Sequence, residues 1–238
     1  MKYSYDLHIH SCLSPCADDD MTPANIAGMA YIKGLDIVAL TDHNTCKNCP
    51  AFFKACAEYG VTAIAGMELT TAEDIHIVCL FENLENALDF SDYVYSQIPD
   101  FKNNAKIFGN QIVMDENDVE VDREEKLLIT ATNIDVNSAV ELVKKYGGVA
   151  YPAHIDRRSN GIIAILGDIP FDAGFTSLEF NDYSNKQEYC DKYSLVSELM
   201  HLCSSDAHGL GKINEPENFI ELDTKNAESL INRLKTKK

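Results

Sequence analysis

The chain has 238 residues, of which 45% are hydrophobic and 24% are charged, so it is long enough to bury a sizeable core in one large or two small domains. Its formal net charge of −18 argues against a nucleic-acid-binding surface built on a broad basic patch, without excluding nucleic acid as a substrate. The sequence has no apolar run of about 20 residues and no charged-then-apolar export signal, which predicts a cytoplasmic protein without a membrane span.

Apolar runs and their boundary residues predict the strands and helices in chain order. A first strand covers 3–11, and Thr22 and Pro23 begin a helix that Gly34 ends. The later predicted strands are 36–41, 61–67, 75–81, 149–153, 177–180, 201–204 and 219–222, and the later helices are 50–59, 137–146 and 225–234. This alternation favours parallel βαβ units in an α/β fold, arranged as a barrel or as an open doubly wound sheet.

The segment from about 83 to 135 interrupts the alternation. It contains a predicted helix at 84–96, a polar stretch at 112–121 and an acidic helix start near Glu124. No Gly/Ser/Pro-rich linker borders it, so we interpret it as a mainly helical insertion. The sequence then predicts one domain over 1–238.

Histidines and carboxylates recur at the ends or starts of the predicted strands. Six of the seven histidines lie there, and they are His8, His10, His43, His76, His154 and His208. Asp6, Asp42, Glu68 and Asp206 lie beside them or follow the same strands. In parallel α/β folds the loops at the carboxyl ends of strands gather on one face, where active sites form. The pattern predicts a metal centre on that face.

The spacing within the pairs refines this prediction. His8 and His10 are two residues apart and share a face of a regular strand, and Asp206 and His208 repeat that spacing. Asp42 and His43 are adjacent, so His43 is the better candidate ligand and Asp42 a supporting partner. Glu68 has two oxygens and can bridge two ions. Mixed imidazole and carboxylate ligands suit zinc, manganese or iron.

The motifs of the chain, taken in order, resemble those of the polymerase-and-histidinol-phosphatase (PHP) family. They are Asp6-Leu7-His8-Ile9-His10-Ser11, Thr41-Asp42-His43-Asn44, Gly66-Met67-Glu68, His76, Pro152-Ala153-His154 and Ser205-Asp206-Ala207-His208. The resemblance implies a distorted (β/α)7 TIM-like barrel with two or three divalent ions and phosphoesterase activity. By this resemblance, His8, His10, Glu68 and Asp206 bind one ion, and Glu68, His76 and His154 bind a second. His43 and His208 belong to a third.

The loop after the first strand departs from the family pattern, which places another His or Asp there for the third ion. In this chain the loop reads Ser14-Pro15-Cys16-Ala17-Asp18-Asp19-Asp20. We therefore expect the third ligand to be one of the three aspartates, or to be absent.

A pair of ions roughly 3.5–4 Å apart can share a hydroxide nucleophile and hold a phosphoryl group for in-line attack. Arg157 and Arg158 follow His154 closely and are the candidate phosphate-binding residues, because Arg binds phosphate bidentately. Asn181 follows the strand 177–180 and is a further candidate for substrate contact. We expect Asp206, His208 and Arg157 to take part in catalysis.

Four of the eight cysteines lie in the loops after the first two strands: Cys12, Cys16, Cys46 and Cys49. These loops are expected to be neighbours, so the four thiols can form a tetrahedral zinc site or a redox-sensitive pair. The alternative is four free thiols in a reducing cytoplasm.

The leading functional hypothesis is a metal-dependent phosphoesterase that acts on a phosphomonoester or a nucleotide through a metal-bridging hydroxide. A single-strand-specific exonuclease is one alternative, and a non-catalytic metal-binding scaffold is another. The sequence makes no prediction about the oligomeric state.

Overall fold

The computed structural model describes residues 1–237. The strands are β1 (Lys2–Ile9), β2 (Ile37–Leu40), β3 (Thr62–Thr70), β4 (His76–Phe81), β5 (Ile112–Met114), β6 (Glu120–Arg123), β7 (Gly148–Pro152), β8 (Ser177–Phe180), β9 (Met200–Cys203) and β10 (Phe219–Glu221). The helices are α1 (Pro23–Lys33), α2 (Cys49–Tyr59), α3 (Leu84–Gln97), α4 (Ala105–Phe108), α5 (Val136–Lys145), α6 (Ile162–Leu166), α7 (Lys186–Lys192), α8 (Ser194–Glu198) and α9 (Ala227–Leu234).

The predicted capping residues fix the boundaries of α1. The Thr22 side chain accepts a hydrogen bond from the Asn25 amide at 3.2 Å, and Gly34 takes the left-handed conformation with φ 78°. Strand β3 is longer than predicted, so Glu68 lies inside the strand and not after it. Within residues 1–237 no helix combines the length and apolar character that a bilayer crossing requires.

Six strands form a curled sheet in the order β10-β1-β2-β3-β4-β7, and β8 pairs with β9 in a separate two-stranded sheet. Backbone contacts join the two sheets: the Ile155 amide donates to the Glu179 carbonyl at 2.8 Å, and Ile9 bridges to Ala207. The α/β prediction is confirmed, and the curled sheet is consistent with a distorted barrel. The exact (β/α)7 count stays a prediction.

The expectation of a parallel sheet is wrong at β4. Strand β4 is antiparallel to both β3 and β7, and β10 is antiparallel to β1, whereas β1, β2 and β3 run parallel. Only residues 71–75 connect β3 to β4. A connection this short reverses the chain, because a parallel crossover needs about a dozen residues or more.

Two buried clusters lie on the two faces of the curled sheet. The inner cluster includes Leu7, Val78 and Tyr151 and is closed by Leu230 and Leu234 of α9. The outer cluster packs alternate residues of the same strands against α1, α2, α3 and α5. Strand side chains at the rim of the inner face therefore converge above this inner cluster.

The segment 83–135 is helical only in α3 and α4, so the expectation of a mainly helical insertion is wrong for its second half. Strands β5 and β6 form a hairpin, and no helix starts near Glu124. The carboxylate of Asp115 accepts hydrogen bonds from the Asn117 and Val119 amides, and Asp118 has a φ of 56°. These contacts favour a turn over a helix. The assignment of 1–238 as one domain stays a prediction.

Candidate metal centre

A β-bulge in β1 directs both of its histidines into the cluster. The pairing of β1 with β2 changes register between Asp6 and Ile9. Leu7 packs in the inner cluster and Ile9 in the outer one, and the side chain of His8 nevertheless reaches the inner rim beside His10. On a regular strand His8 would share the outer face with Asp6. The bulge re-aims His8, as bulges beside functional sites commonly do.

Glu68 lies at the centre of the cluster and is 1% exposed. Its Oε1 is 3.3 Å from His8 Nε2, 2.9 Å from His76 Nδ1 and 3.1 Å from His154 Nε2. Its Oε2 is 3.3 Å from His10 Nε2 and 3.2 Å from His43 Nδ1. Five imidazole rings from four strand regions thus converge on one carboxylate. His76 joins them from the start of β4, because that strand runs antiparallel to its neighbours.

Asp206 and His208 complete the cluster from the loop that follows β9. They lie beyond β9, which ends at Cys203, and Asp206 has a φ of 48°, so the side-chain alternation of a regular strand does not apply to them. Asp206 Oδ1 is nevertheless 3.1 Å from His10 Nε2, and the His208 and His10 rings stack with centroids 4.2 Å apart. The Asp6 carboxylate fixes this loop by accepting hydrogen bonds from the Ser205 and Asn214 amides, each at 3.0 Å.

The distances in the cluster fit a bound divalent ion. Ligand atoms roughly 2.0–2.1 Å from a tetrahedral ion lie roughly 3.3 Å from one another. Nε2 of His8 and Nε2 of His10 are 3.3 Å apart, and Asp206 Oδ1 is 3.3 Å and 3.1 Å from them. Asp206 Oδ1 is buried and has no geometrically good hydrogen-bond partner among residues 1–237. These groups can hold a cation.

The ligand atoms fall into three groups, each with all its atoms within 4.8 Å of one another. The groups are His8 with His10, Glu68 and Asp206; His43 with Glu68 and His76; and His10 with His43 and His208. The first group has the membership that the family resemblance implies. The second contains His43 in place of His154, although His154 Nε2 lies 3.1 Å from Glu68 Oε1.

Burial and neighbouring charges shift the pKa values of the cluster in different directions. Burial lowers the pKa of His10, but hydrogen bonds with Asp206 and Glu68 outweigh it and raise the pKa to about 9. Burial lowers the pKa of His208 to about 4, and the charge of His10 adds to this effect. Burial opposes ionisation of Asp206, but His8 and His10 hold its pKa well below the usual range. A bound cation would replace the protons on His8 and His10 and keep the charges balanced.

Arg157 lies in the same cavity, and Arg158 does not. Arg157 Nη1 donates to Asp206 Oδ2, and Arg157 Nε donates to Asn181 Oδ1 at 2.8 Å. The cavity measures about 90 Å³ and is lined by His43, Glu68, His76, His154, Arg157, Ser159, Asn160, Asp206 and His208. Arg158 is exposed and makes no hydrogen bond or ion pair within residues 1–237. Asn181 contacts Arg157, and its predicted contact with substrate stays a prediction.

The aspartates of the loop after β1 lie outside the three ligand groups. The Asp18 amide donates to the His208 carbonyl at 2.9 Å, and the Asp19 carboxylate accepts hydrogen bonds from the Asn110 side chain. The loop also packs against the insertion at Gly109, which has a φ of 104° and where a Cβ atom would lie 1.9 Å from the Pro15 carbonyl oxygen. A third-ion ligand from this loop therefore stays a prediction.

The four loop cysteines do not come together. The thiols of Cys46 and Cys49 are buried and lie 3.1 Å and 3.7 Å from the Gly66 carbonyl oxygen. Cys12 points instead to the Ile112 carbonyl oxygen, and Cys16 is exposed. No group of three ligands within residues 1–237 includes a cysteine. The two loops are neighbours, but their thiols face different parts of the core, so a tetrahedral zinc site is wrong.

Sequence reasoning missed Ser14 and Glu179. Ser14 Oγ is 2.9 Å from His10 Nδ1, and Glu179 Oε1 is 2.8 Å from His8 Nδ1. Glu179 was detectable as a carboxylate inside the apolar strand 177–180, because a buried carboxylate requires a polar partner. Asp42 accepts hydrogen bonds from the Ser11 and Ser14 hydroxyls, and its role as a supporting partner stays a prediction.

The family model for the PHP domain matches residues 6–235. The chain belongs to the PHP domain family. The family includes metal-dependent phosphoesterases, and its match covers all eight of the candidate ligands described above. Membership confirms the resemblance that the ordered motifs indicate.

Three individual proteins are similar to this chain, and two of them match over only part of their own length. A 5'-3' exoribonuclease of Haemophilus influenzae is 36% identical over 83 residues, which is 34% of this chain and 29% of that protein. The lesion-specific endonuclease EndoQ of Pyrococcus furiosus is 19% identical with a TM-score of 0.70, over 99% of this chain and 56% of that one. A Bifidobacterium adolescentis protein, provisionally assigned as a metal-dependent phosphoesterase, is 19% identical with a TM-score of 0.61, over 95% of both chains. The two structures share the fold.

Proposed function

We propose that the protein is a metal-dependent phosphoesterase that hydrolyses a small phosphorylated substrate, either a phosphomonoester or a nucleotide. The observation that carries the proposal is that six of the eight candidate metal ligands and Arg157 line one cavity of about 90 Å³. This volume is far below the roughly 300–1,000 Å³ of pockets that enclose drug-sized ligands. The cavity therefore suits a single phosphoryl group, with the rest of the substrate outside it.

The residues of the site would have separate roles in phosphoryl transfer: metal binding, phosphate binding and positioning. Divalent ions, when bound, supply Lewis-acid polarisation and lower the pKa of a bound water. His8, His10, Glu68 and Asp206 would hold one ion, and His43, His76 and His154, with Glu68 shared, would serve a second. Arg157 would bind the equatorial phosphoryl oxygens, which carry the negative charge of the transition state. Asn181 would keep its guanidinium in place.

His208 and Asp206 are the other proposed catalytic residues. Burial and the charge of His10 lower the pKa of His208 to about 4, so its ring is neutral at neutral pH. Nδ1 donates to the Asp206 carbonyl at 2.8 Å, which leaves Nε2 without a proton. It is therefore able to bind an ion or to accept a proton from the attacking water. Asp206 would hold an ion through Oδ1, which faces His10, while its Oδ2 accepts from the Arg157 guanidinium.

A nuclease is the second candidate, supported by the relative named as a 5'-3' exoribonuclease and by the shared fold of the endonuclease. It predicts faster cleavage of single-stranded oligonucleotides than of mononucleotides, with strong weakening by salt. The net charge of −18 supports the small substrate over the long one.

A substrate panel tests these alternatives. Phosphomonoesters, cyclic and dinucleotide diesters, and oligonucleotides are each assayed with manganese, zinc and iron, for the wild type and for Glu68→Gln. We expect hydrolysis of at least one small substrate by the wild type, and loss of both metal content and activity in Glu68→Gln with the circular dichroism unchanged. Preference for oligonucleotides would favour the nuclease. Bound ions without hydrolysis of any substrate would favour the scaffold.

A further inference from the structure

Glu179 lies beneath the metal ligands and is not one of them. It belongs to β8 and is 1% exposed. Its Oε1 is 2.8 Å from His8 Nδ1 and 3.4 Å from the His154 amide nitrogen. Its Oε2 is buried and has no hydrogen-bond partner among residues 1–237. An isolated carboxylate in the inner cluster is unfavourable, so its one strong contact, with His8, needs an explanation.

We propose that Glu179 is a positioning residue of the metal centre: its Oε1 fixes the ring of His8 and the backbone of His154 so that both Nε2 atoms face Glu68. The proposal rests on the proposed metal centre and adds a residue that its ligand set does not contain.

The hydrogen-bond chemistry of His8 supports this role. Nε2 of His8 faces His10 Nε2, Glu68 and Asp206, and it binds an ion only when that nitrogen carries no proton. A carboxylate oxygen acts as the acceptor at this contact of 2.8 Å, so Nδ1 of His8 is the donor to Glu179 Oε1. The contact therefore selects the tautomer with its proton on Nδ1 and leaves Nε2 free. A carboxylate partner also makes the imidazole a more basic ligand.

The contact with His154 extends the role to a second ligand. His154 has a φ of 28°, in the left-handed region that residues other than glycine seldom adopt. Its amide lies 3.4 Å from Glu179 Oε1, and the next amide, of Ile155, donates to the Glu179 backbone carbonyl at 2.8 Å. Surrounding contacts must hold such a conformation in place. Glu179 supplies two of them, one from its side chain and one from its backbone.

Three variants separate the hydrogen bond from the charge and from the volume. Glu179→Gln keeps an acceptor at the same distance, Glu179→Leu fills the space without an acceptor, and Glu179→Asp keeps the charge on a shorter side chain. Zinc affinity is measured for each by competition with a chelator. We expect Glu179→Leu and Glu179→Asp to lose affinity by about 10–100-fold, the range found when a partner of a metal-binding histidine is removed. Glu179→Gln should recover most of the affinity.

A spectroscopic measurement adds a readout that a general loss of stability would not change. With cobalt in place of zinc, the ligand-field absorption of the bound ion reports the geometry of its ligands. We expect the spectrum of Glu179→Leu to differ from that of the wild type, and the spectrum of Glu179→Gln to match it. Glu124→Gln is the matched control, because Glu124 is also buried and ion-paired, with Lys47, but touches no candidate ligand.

The outcomes distinguish this proposal from the metal centre itself. If the wild type binds zinc and Glu179→Leu binds it equally well, the role of Glu179 is overturned and the metal centre stands. An equal loss of affinity in Glu124→Gln also overturns it, because the effect is then general. If Glu179→Leu does not fold, Glu179→Asp decides by the same criterion. If the wild type binds no ion, the metal centre and this proposal both fail.

Discussion

Ser14 and Asp42 form a hydrogen bond of 2.7 Å from the serine hydroxyl to Oδ1 of the aspartate. Because a hydroxyl has one hydrogen, Ser14 Oγ can only accept from its other neighbours, the His43 amide at 3.1 Å and His10 Nδ1 at 2.9 Å. His10 must therefore carry a proton on Nδ1, which leaves Nε2 as the nitrogen that would bind an ion. Asp42 thus acts on His10 through Ser14, while Glu179 acts on His8 directly.

The substitution Ser14→Ala tests this arrangement. It removes the acceptor of two buried N–H groups, so we expect the free energy of unfolding to fall by about 1–3 kcal/mol. Zinc affinity should fall about tenfold or more, since the ring of His10 is no longer held. Urea unfolding and chelator competition measure the two effects. Ser96→Ala is the control, because Ser96 is exposed and bonds only to the nearby Tyr93 carbonyl and Gln97 side chain. Unchanged zinc affinity in a folded Ser14→Ala protein would contradict the arrangement.

Arg157 should govern substrate binding, whereas Arg158 should not. Arg157 contacts Asp206 and Asn181 inside the cavity, and Arg158 is exposed. We expect Arg157→Ala to lower kcat/KM for a phosphoester by about 10–100-fold, the value of one charge-assisted hydrogen bond or slightly more. Arg157→Lys should lose less activity than Arg157→Ala but remain less active than the wild type, because lysine keeps the positive charge without the bidentate hydrogen bonds of arginine.

Steady-state kinetics with equal metal content in each variant checks this prediction, and Arg158→Ala is the matched control. Equal kinetics in Arg157→Ala and the wild type would remove Arg157 from the site. A matching loss in Arg158→Ala would show that the effect comes from general surface charge.

Much of the site could be predicted because its ligands lie at strand ends, where sequence patterns are strong. The HxH pair, Glu68 and His154 each follow or end an apolar run that is readable without a structure. The reasons they meet were harder to read. The bulge in β1 and the reversed direction of β4 depend on pairing between strands. The local sequence pattern therefore does not predict that the side chains of His8 and His76 point into the cluster.

The errors have the same origin. The cysteines of two neighbouring loops suggested one site, but the proximity of loops does not fix the direction of their side chains. Cys46 and Cys49 lie against the Gly66 carbonyl oxygen, whereas Cys12 lies against that of Ile112. The spacing of Asp206 and His208 suggested the side-chain geometry of a regular strand, yet both residues lie in a loop that the Asp6 carboxylate holds. Glu179 went unnoticed because its partner, His8, is 171 residues away.

Burial should make the structural thiols resist modification. It raises the pKa of Cys12 and of Cys56 to about 12, and raises that of Cys46 well above its usual value. A raised thiol pKa lowers the thiolate fraction, so at pH 8 Cys12 and Cys56 should react about 1,000-fold more slowly than a free cysteine, and Cys46 should also react slowly. Each unit of added pH should then speed the reaction about tenfold until the thiol pKa is reached.

Mass spectrometry of the labelled native protein assigns the rate to each cysteine. All eight thiols should react quickly in denaturant, which is the control. Rapid labelling of Cys46 or Cys56 in the native protein at pH 8 would contradict the buried positions described above.

The helix that precedes β7 should show a pH-dependent cap. Asp135 accepts hydrogen bonds from the Ser138 amide at 3.0 Å and the Ser138 hydroxyl at 2.7 Å, and these bonds lower the pKa of its carboxylate below the ordinary 3.8. A lowered folded-state pKa means that the cap contributes fully above pH 3.8 and is lost as the pH falls through the folded value. Asp135→Ala should cost about 1 kcal/mol at pH 7. Urea unfolding from pH 7 down to the acid limit of folding measures the difference from the wild type, and Asp135→Asn, which caps without titrating, should show less change with pH. A constant difference between the wild type and Asp135→Ala down to the acid limit of folding shows that the carboxylate charge does not stabilise this helix end.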